Sequence, residues 1–245
     1  MLKEMYKRKF VSLFVALVIA ASAVTTAFAR PDSDKAQRRK QVFEPVNIAV
    51  LIQDDLVSQV ANEIGVTRDF VRSLPQGSRV MVGYITAGSL QVRQPFTTDL
   101  DKAARSLRIP TASRASSPFN PYVEVIEALK KFDPAWNNNT VLLISDGLDT
   151  SRGFDSTAAG NTLDLHRAID EANKRKVSVF SFYAPSVGLT SFNRIAASYG
   201  QSSLNRLANS TGGKAFFQGT SGFVTFDSYF NRLREALNRQ YARAS

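Results

Sequence analysis

Residues 46–52 (VNIAVLI) and 140–145 (TVLLIS) are apolar almost throughout, and carboxylates follow closely: Asp54 and Asp55 after the first run, Asp146 after the second. A strand with near-continuous apolar character is buried on both faces, as in a parallel sheet covered by helices. Segments of period near 3.6 alternate with such runs. Val57, Val60, Ala61, Ile64, Val71 and Leu74 share one helical stripe, and Asn120-Pro121 opens another helix with Tyr122, Val125, Ile126, Leu129 and Phe132 inward. Further strands are predicted over 79–86, 90–96, Val177–Tyr183 and 214–218, and further helices over 99–107, Leu163–Lys174, 204–209 and from a capping Asp227 onward. The turn at Gly88 lays 90–96 beside 79–86, and Pro95 keeps it at an edge. The pattern predicts an α/β fold: a Rossmann-like, doubly wound, mostly parallel sheet with helices on both faces and one antiparallel edge strand.

The first residues follow another logic. Lys3, Lys7, Arg8 and Lys9 precede the apolar run 10–24, and Ala27-Phe28-Ala29 supplies a small-residue cleavage site, so 1–29 is predicted to be a signal peptide. An uncleaved membrane anchor is the alternative, because 10–29 is just long enough to span a bilayer, although Ser22, Thr25 and Thr26 thin its apolar character. Residues 30–45, with RPDSDKAQRRK at their start, read as a flexible basic linker, and 46–245 as one domain. The formal net charge is +10. Without basic patches interleaved with aromatics, and with export expected, nucleic acid is not the predicted partner. There is no cysteine, which excludes thiol chemistry, and the lone His166 sits in a helical pattern without a second ligand or a nucleophile to serve.

In doubly wound sheets ligands bind beyond the carboxyl ends of the strands, where Asp54, Asp55 and Asp146 fall. Carboxylates with hydroxyls and no His or Cys suit Mg²⁺, Mn²⁺ or Ca²⁺. Asp54 or Asp55, Ser58, Ser116 or Ser117, and Asp146 are the candidate donors. The plainer readings are that Asp55 caps the helix starting near Leu56 and that Asp146-Gly147 is a turn.

The segments VNIAVLIQDD, FVRSLPQGSRVMVGYIT, VLLISDGLDTSRG and LNRLANSTGGKAFFQGTS, in this order, resemble a von Willebrand factor type A domain over nearly all of 46–241, especially the secreted A-like proteins of Acidobacteria and related soil bacteria. The resemblance implies a metal-ion-dependent adhesion site built from an Asp-x-Ser-x-Ser loop, a Thr loop and an Asp loop. Asp146 matches the Asp loop. Counted from Asp54, the first loop keeps Ser58 but has Leu56 in place of its first serine, and no Thr stands at the expected place in the second, where Ser116 or Ser117 is the nearest hydroxyl. The expectation is a degenerate site in which Asp54 and Asp146 contribute most and Asp55 stays off the ion.

The function expected from this is an exported, non-enzymatic module that engages a protein ligand at the strand ends. A metal-free scaffold with a vestigial site is the alternative. A Mg²⁺-dependent hydrolase is disfavoured because SDGLDTS lacks the Asp-x-Asp-x-Thr order of haloacid-dehalogenase-like phosphatases.

Overall fold

The computed structural model describes residues 44–154, 162–219 and 225–241, all within one compact unit, Val42–Ser245. The predicted signal peptide, the linker up to residue 43, and Gly160 with the end of the loop 150–161 lie outside the described residues.

The apolar runs become strands β1 (Asn47–Gln53), β4 (Asn139–Ser145) and β5 (Val177–Tyr183), every residue of which is buried. β2 (Arg79–Thr86) pairs parallel with β1 on one side while β4 does so on the other, and β5 and the two-residue β6 (Ala215–Phe216) extend the sheet. β3 (Ser89–Thr97) returns antiparallel along β2, giving the order β3-β2-β1-β4-β5-β6. Register shifts between Val80 and Gly83 relieve the edge strand where Pro95, which has no amide hydrogen, interrupts the ladder.

Alternation along the strands divides the core. Ile48, Val50 and Ile52 face α1 (Glu63–Arg72), α2 (Leu100–Ser106) and α6 (Asp227–Tyr241). Ala49 and Leu51 face α3 (Pro121–Leu129), α4 (Leu163–Lys174) and α5 (Arg194–Ser210). The first layer is closed by aromatic rings, with Phe182 packed edge-on against Phe216, Tyr229 and Phe230. Each fully buried Leu, Ile or Phe contributes about 1.5–3 kcal/mol, so the two clusters dominate the stability of the unit. Among the described residues, no helix is long and apolar enough to cross a membrane.

Several local expectations are corrected. The stripe from Val57 begins as a 3-10 helix, Ser58–Asn62, before α1. Its N-cap is Val57, with no side-chain cap, so Asp55 does not cap it. Asp227 is the first residue of α6 rather than a residue before it. α5 begins at Arg194, well ahead of the predicted 204. The strand at 214–218 shrinks to Ala215–Phe216.

Candidate functional site

The C-terminal ends of β1, β4 and β5 meet in one hydrogen-bonded assembly. Past β1 the chain runs along the segment after β5: Val57 N donates to Pro185 O (3.0 Å), Val187 N donates to Asp55 O (2.8 Å), and Leu56 bridges to Ser186. Leu56 is wholly buried in the core. A position buried in this way suits a hydrocarbon, so the hydroxyl that the resemblance implies here is absent.

Gln53 fixes the spacing between β1 and β4. Its side-chain carbonyl accepts from Ser145 Oγ (2.5 Å) and Asp146 N (3.2 Å), and its Nε2 donates to Asp55 Oδ1 (2.7 Å). Asp146 ends β4, with Oδ1 accepting from Leu148 N (3.1 Å) and Oδ2 from the Thr190 hydroxyl (3.1 Å). Gly147 follows at φ +68, and a Cβ there would lie 2.5 Å from Gly200 O. A glycine on each segment, Gly147 and Gly200, lets α5 approach the end of β4 closely.

Asp55 and Asp146 interact across a cavity of ≈ 420 Å³, to which Ser117 adds a hydroxyl from the loop before α3. Burial pushes the Asp55 carboxyl up to about 6, and the charge of Asp146 pushes the same way, against hydrogen bonds from Gln53 and Ser117. Asp146 is also raised, by burial, against hydrogen bonds led by that of Ser186. Neither carboxylate is in an ion pair among the described residues. Phe119 (59% exposed) and Phe192 (69% exposed) stand at the cavity's edge, with Leu189 and Phe154 also in its lining. Phe119 holds φ at +50, a left-handed conformation costly for a bulky residue, and its carbonyl accepts from Thr150 N (2.6 Å).

Asp54 points elsewhere. It falls on the sheet face of Ile48, Val50 and Ile52, toward the chain leaving α2. There its Oδ1 accepts from Arg108 Nη1 (2.5 Å) and Thr111 N (3.1 Å), while the Thr111 hydroxyl donates to Oδ2 (3.2 Å). The Arg108 guanidinium lies 4.0 Å from the Tyr84 ring centroid, and the Tyr84 hydroxyl donates to Arg108 O (2.6 Å). This is a pin between β1, β2 and the loop after α2, and its cation is already supplied.

The predicted donors therefore separate. Asp55, Ser117 and Asp146 share the cavity, so Asp55, expected to stay off the ion, faces it and Asp54, expected to contribute most, does not. Ser58 is exposed on the 3-10 helix and is not among the cavity's lining residues. Ser116 donates to Ser113 O (2.7 Å) and meets the Thr111 hydroxyl (2.8 Å) on the Asp54 side. Gln53, Ser186, Thr190 and the aromatic edge were not anticipated. The period of two that puts residues 53 and 55 on one side of a strand and 54 on the other was the available signal.

Solved structures share this fold. An aerotolerance-related membrane protein from Bacteroides fragilis, carrying multiple mutations to serines, is 12% identical, with 79% of this chain and 99% of that one covered and a TM-score of 0.51. The human COPII-coat protein Sec24c is 13% identical, with 80% of this chain and 33% of that one covered and a TM-score of 0.50. A von Willebrand factor type A protein from Catenulispora acidiphila is 16% identical, with 81% of this chain and 42% of that one covered and a TM-score of 0.49. At such identities the first two, with TM-scores of 0.51 and 0.50, show the fold alone. The sequence matches no protein-family model and no curated protein.

The donor set can be weighed against a hard cation, which takes six or more oxygen ligands. Asp55, Asp146 and the Ser117 hydroxyl are all oxygen donors on one cavity, and neither carboxylate is in an ion pair among the described residues, although Arg114 also lines the cavity. Among the described residues no group of three or more His, Cys, Asp or Glu side chains is placed to hold a metal. The residues therefore fit a weak site completed by water, not a dedicated cage.

Proposed function

We propose that the chain is an exported, non-enzymatic protein-binding module of the von Willebrand factor A type, akin to the secreted Acidobacteria-type proteins, with a degenerate cation site at the ends of β1 and β4. The observation that carries this reading is the pair Asp55 and Asp146: buried, raised, in no ion pair among the described residues, and facing one cavity. A bound Mg²⁺, Mn²⁺ or Ca²⁺ supplies a positive charge to which an acidic side chain of a protein ligand adds. Asp55 and Asp146 hold the ion, Ser117 adds a hydroxyl, and Gln53 keeps the two strand ends in register. Phe119 and Phe192 offer exposed apolar area to the ligand, the kind of anchor that dominates protein interfaces. Catalysis has little to work with, because there is no cysteine and His166 is not among the cavity's lining residues. Export rests on the N-terminal sequence.

A second reading, a metal-free scaffold, has its own support. The amide of Gln53 already donates to Asp55, and both Asp146 oxygens already accept hydrogen bonds. Calorimetry with each of the three ions separates the two. The adhesion-site reading predicts weak binding that is lost in Asp55→Ala and Asp146→Ala and kept in Asp54→Ala. No heat with the wild type selects the metal-free module, and binding that survives Asp146→Ala discards the site.

A further inference from the structure

The opposite end of the sheet carries the reverse charge. α3 ends at Leu129 and runs into Lys130 and Lys131, while α4 ends at Lys174 and runs into Arg175 and Lys176. Lys174, Arg175 and Lys176 line a cleft of ≈ 410 Å³ together with Trp136, the one tryptophan of the chain. The Glu171 carboxyl is held below its usual range by the Arg175 hydrogen bond, and also by the charges of Lys174 and Lys130, which places both ammonium groups near it. Arg175 is thus neutralised by Glu171 (2.5 Å). Lys130, Lys131, Lys174 and Lys176 are exposed and form no ion pair among the described residues. Asp133 is the one acidic residue lining the same cleft. Helix C-termini favour one or two cations each through the macrodipole. Counting Arg175, five cationic residues stand at these two helix ends, one more than that accounts for.

The chain also enters the domain at this end, where Asn138 Nδ2 donates to Pro45 O (3.2 Å) just ahead of β1. Upstream in sequence stand Arg30, Lys35, Arg38, Arg39 and Lys40 against Asp32 and Asp34, and before them the apolar run 10–24.

We propose that this basic end of the domain docks on the anionic headgroups of a phospholipid bilayer. Flexible lysines extend their charges toward such a surface while their stems cover apolar area, and each basic residue near it contributes about a fivefold gain in affinity. A soluble polyanion satisfies the same charges. It leaves unexplained why the chain joins the basic linker, which follows the segment read as an export signal or anchor, to this end and not the other. The inference is independent of the carboxylate site at the far end of the sheet.

The test follows lysine acylation rates in the full-length protein, read peptide by peptide, with vesicles of phosphatidylcholine alone or containing about a third phosphatidylglycerol. Each rate is referred to that of the same lysine on the phosphatidylcholine vesicles. Acylation of Lys130, Lys131, Lys174 and Lys176 is expected to slow about fivefold or more on the anionic vesicles only, and to recover at high salt, because the attraction is screened. Equal rates on both vesicle types overturn the proposal. So does protection by heparin without protection by anionic vesicles. The variant Lys130→Glu/Lys174→Glu/Lys176→Glu should lose the anionic-dependent shift of Trp136 emission, whereas Arg93→Glu/Arg105→Glu/Arg194→Glu, away from this end, should keep it. Loss in both variants equally contradicts docking by this surface.

Discussion

Asp54 and Asp55 are adjacent, carry the same group and are almost equally buried, at 3% and 1% exposure. Asp54 meets a guanidinium, a backbone amide and a hydroxyl. Asp55 meets an amide, a hydroxyl and another carboxylate. A desolvated charge with a cation beside it is structural, whereas one beside a like charge is a position prepared for something else, a proton or an ion. Which face of the strand a carboxylate takes, and not its place in a motif, decides its surroundings.

The largest effect that probes this contrast is on the pinned side. Asp54→Ala leaves Arg108 without its partner and should destabilise the domain by about 3 kcal/mol in urea unfolding, the lower part of the range for breaking a buried pair, since Arg108 is 29% exposed. A loss below about 1 kcal/mol would mean the pair is only a surface contact.

On the cavity side the sign reverses. The Asp55 carboxyl lies near 6 in the folded protein against an ordinary value of 3.8, so the native state binds its proton more tightly than the unfolded state. Its contribution is fully favourable below about pH 4 and is lost as pH rises through about 6, a penalty of about 2–3 kcal/mol above that window. Asp55→Asn should therefore gain about 2 kcal/mol at pH 8 in the presence of a chelator, and little at pH 4. Glu124, buried on α3 and pushed up to about 7 by burial, adds a decline of the same sign between about 4.5 and 7. That decline should remain in Asp55→Asn and vanish in Glu124→Gln, so the two slopes can be assigned by mutation.

Smaller effects sharpen the boundary between the two regions. Thr111→Ala removes the hydroxyl that bonds the Asp54 carbonyl (3.0 Å) and carboxylate (3.2 Å), and should cost about 1 kcal/mol in thermal or urea melts without altering ion binding. Ser58→Ala, at an exposed position, should change stability by less than about 0.5 kcal/mol and leave calorimetric ion titrations unchanged. A Ser58 effect on ion binding would return that residue to the site.

Much of the fold was legible because strongly apolar or amphipathic segments admit few alternatives. α4 and β5 fall at the residues their patterns predict, and Asn120 caps α3. The first turns of α5 were hidden by small and polar residues around Gly200, a glycine required by the backbone of Asp146 against it, which is a tertiary demand that no local pattern records. Asp146 was legible as the end of a buried strand. The exchange of Asp54 for Asp55 was not, because counting the motif from Asp54 ignored Arg108, a residue far along the chain that the fold brings beside β1. Thr190 and Ser186 likewise reach Asp146 only through the crossing of the β1 and β5 loops.

The measurement closest to the central claim is a carboxyl ¹³C NMR titration of the aspartates in metal-free protein. Asp55 is expected to titrate near 6 and to fall part of the way toward its ordinary value in Asp146→Asn, because burial, the larger cause of the shift, remains while the repulsion of the second carboxylate is removed. An Asp55 that titrates near 4 in the wild type, or one that is indifferent to Asp146, would contradict the pairing of these two carboxylates across the cavity and with it the site.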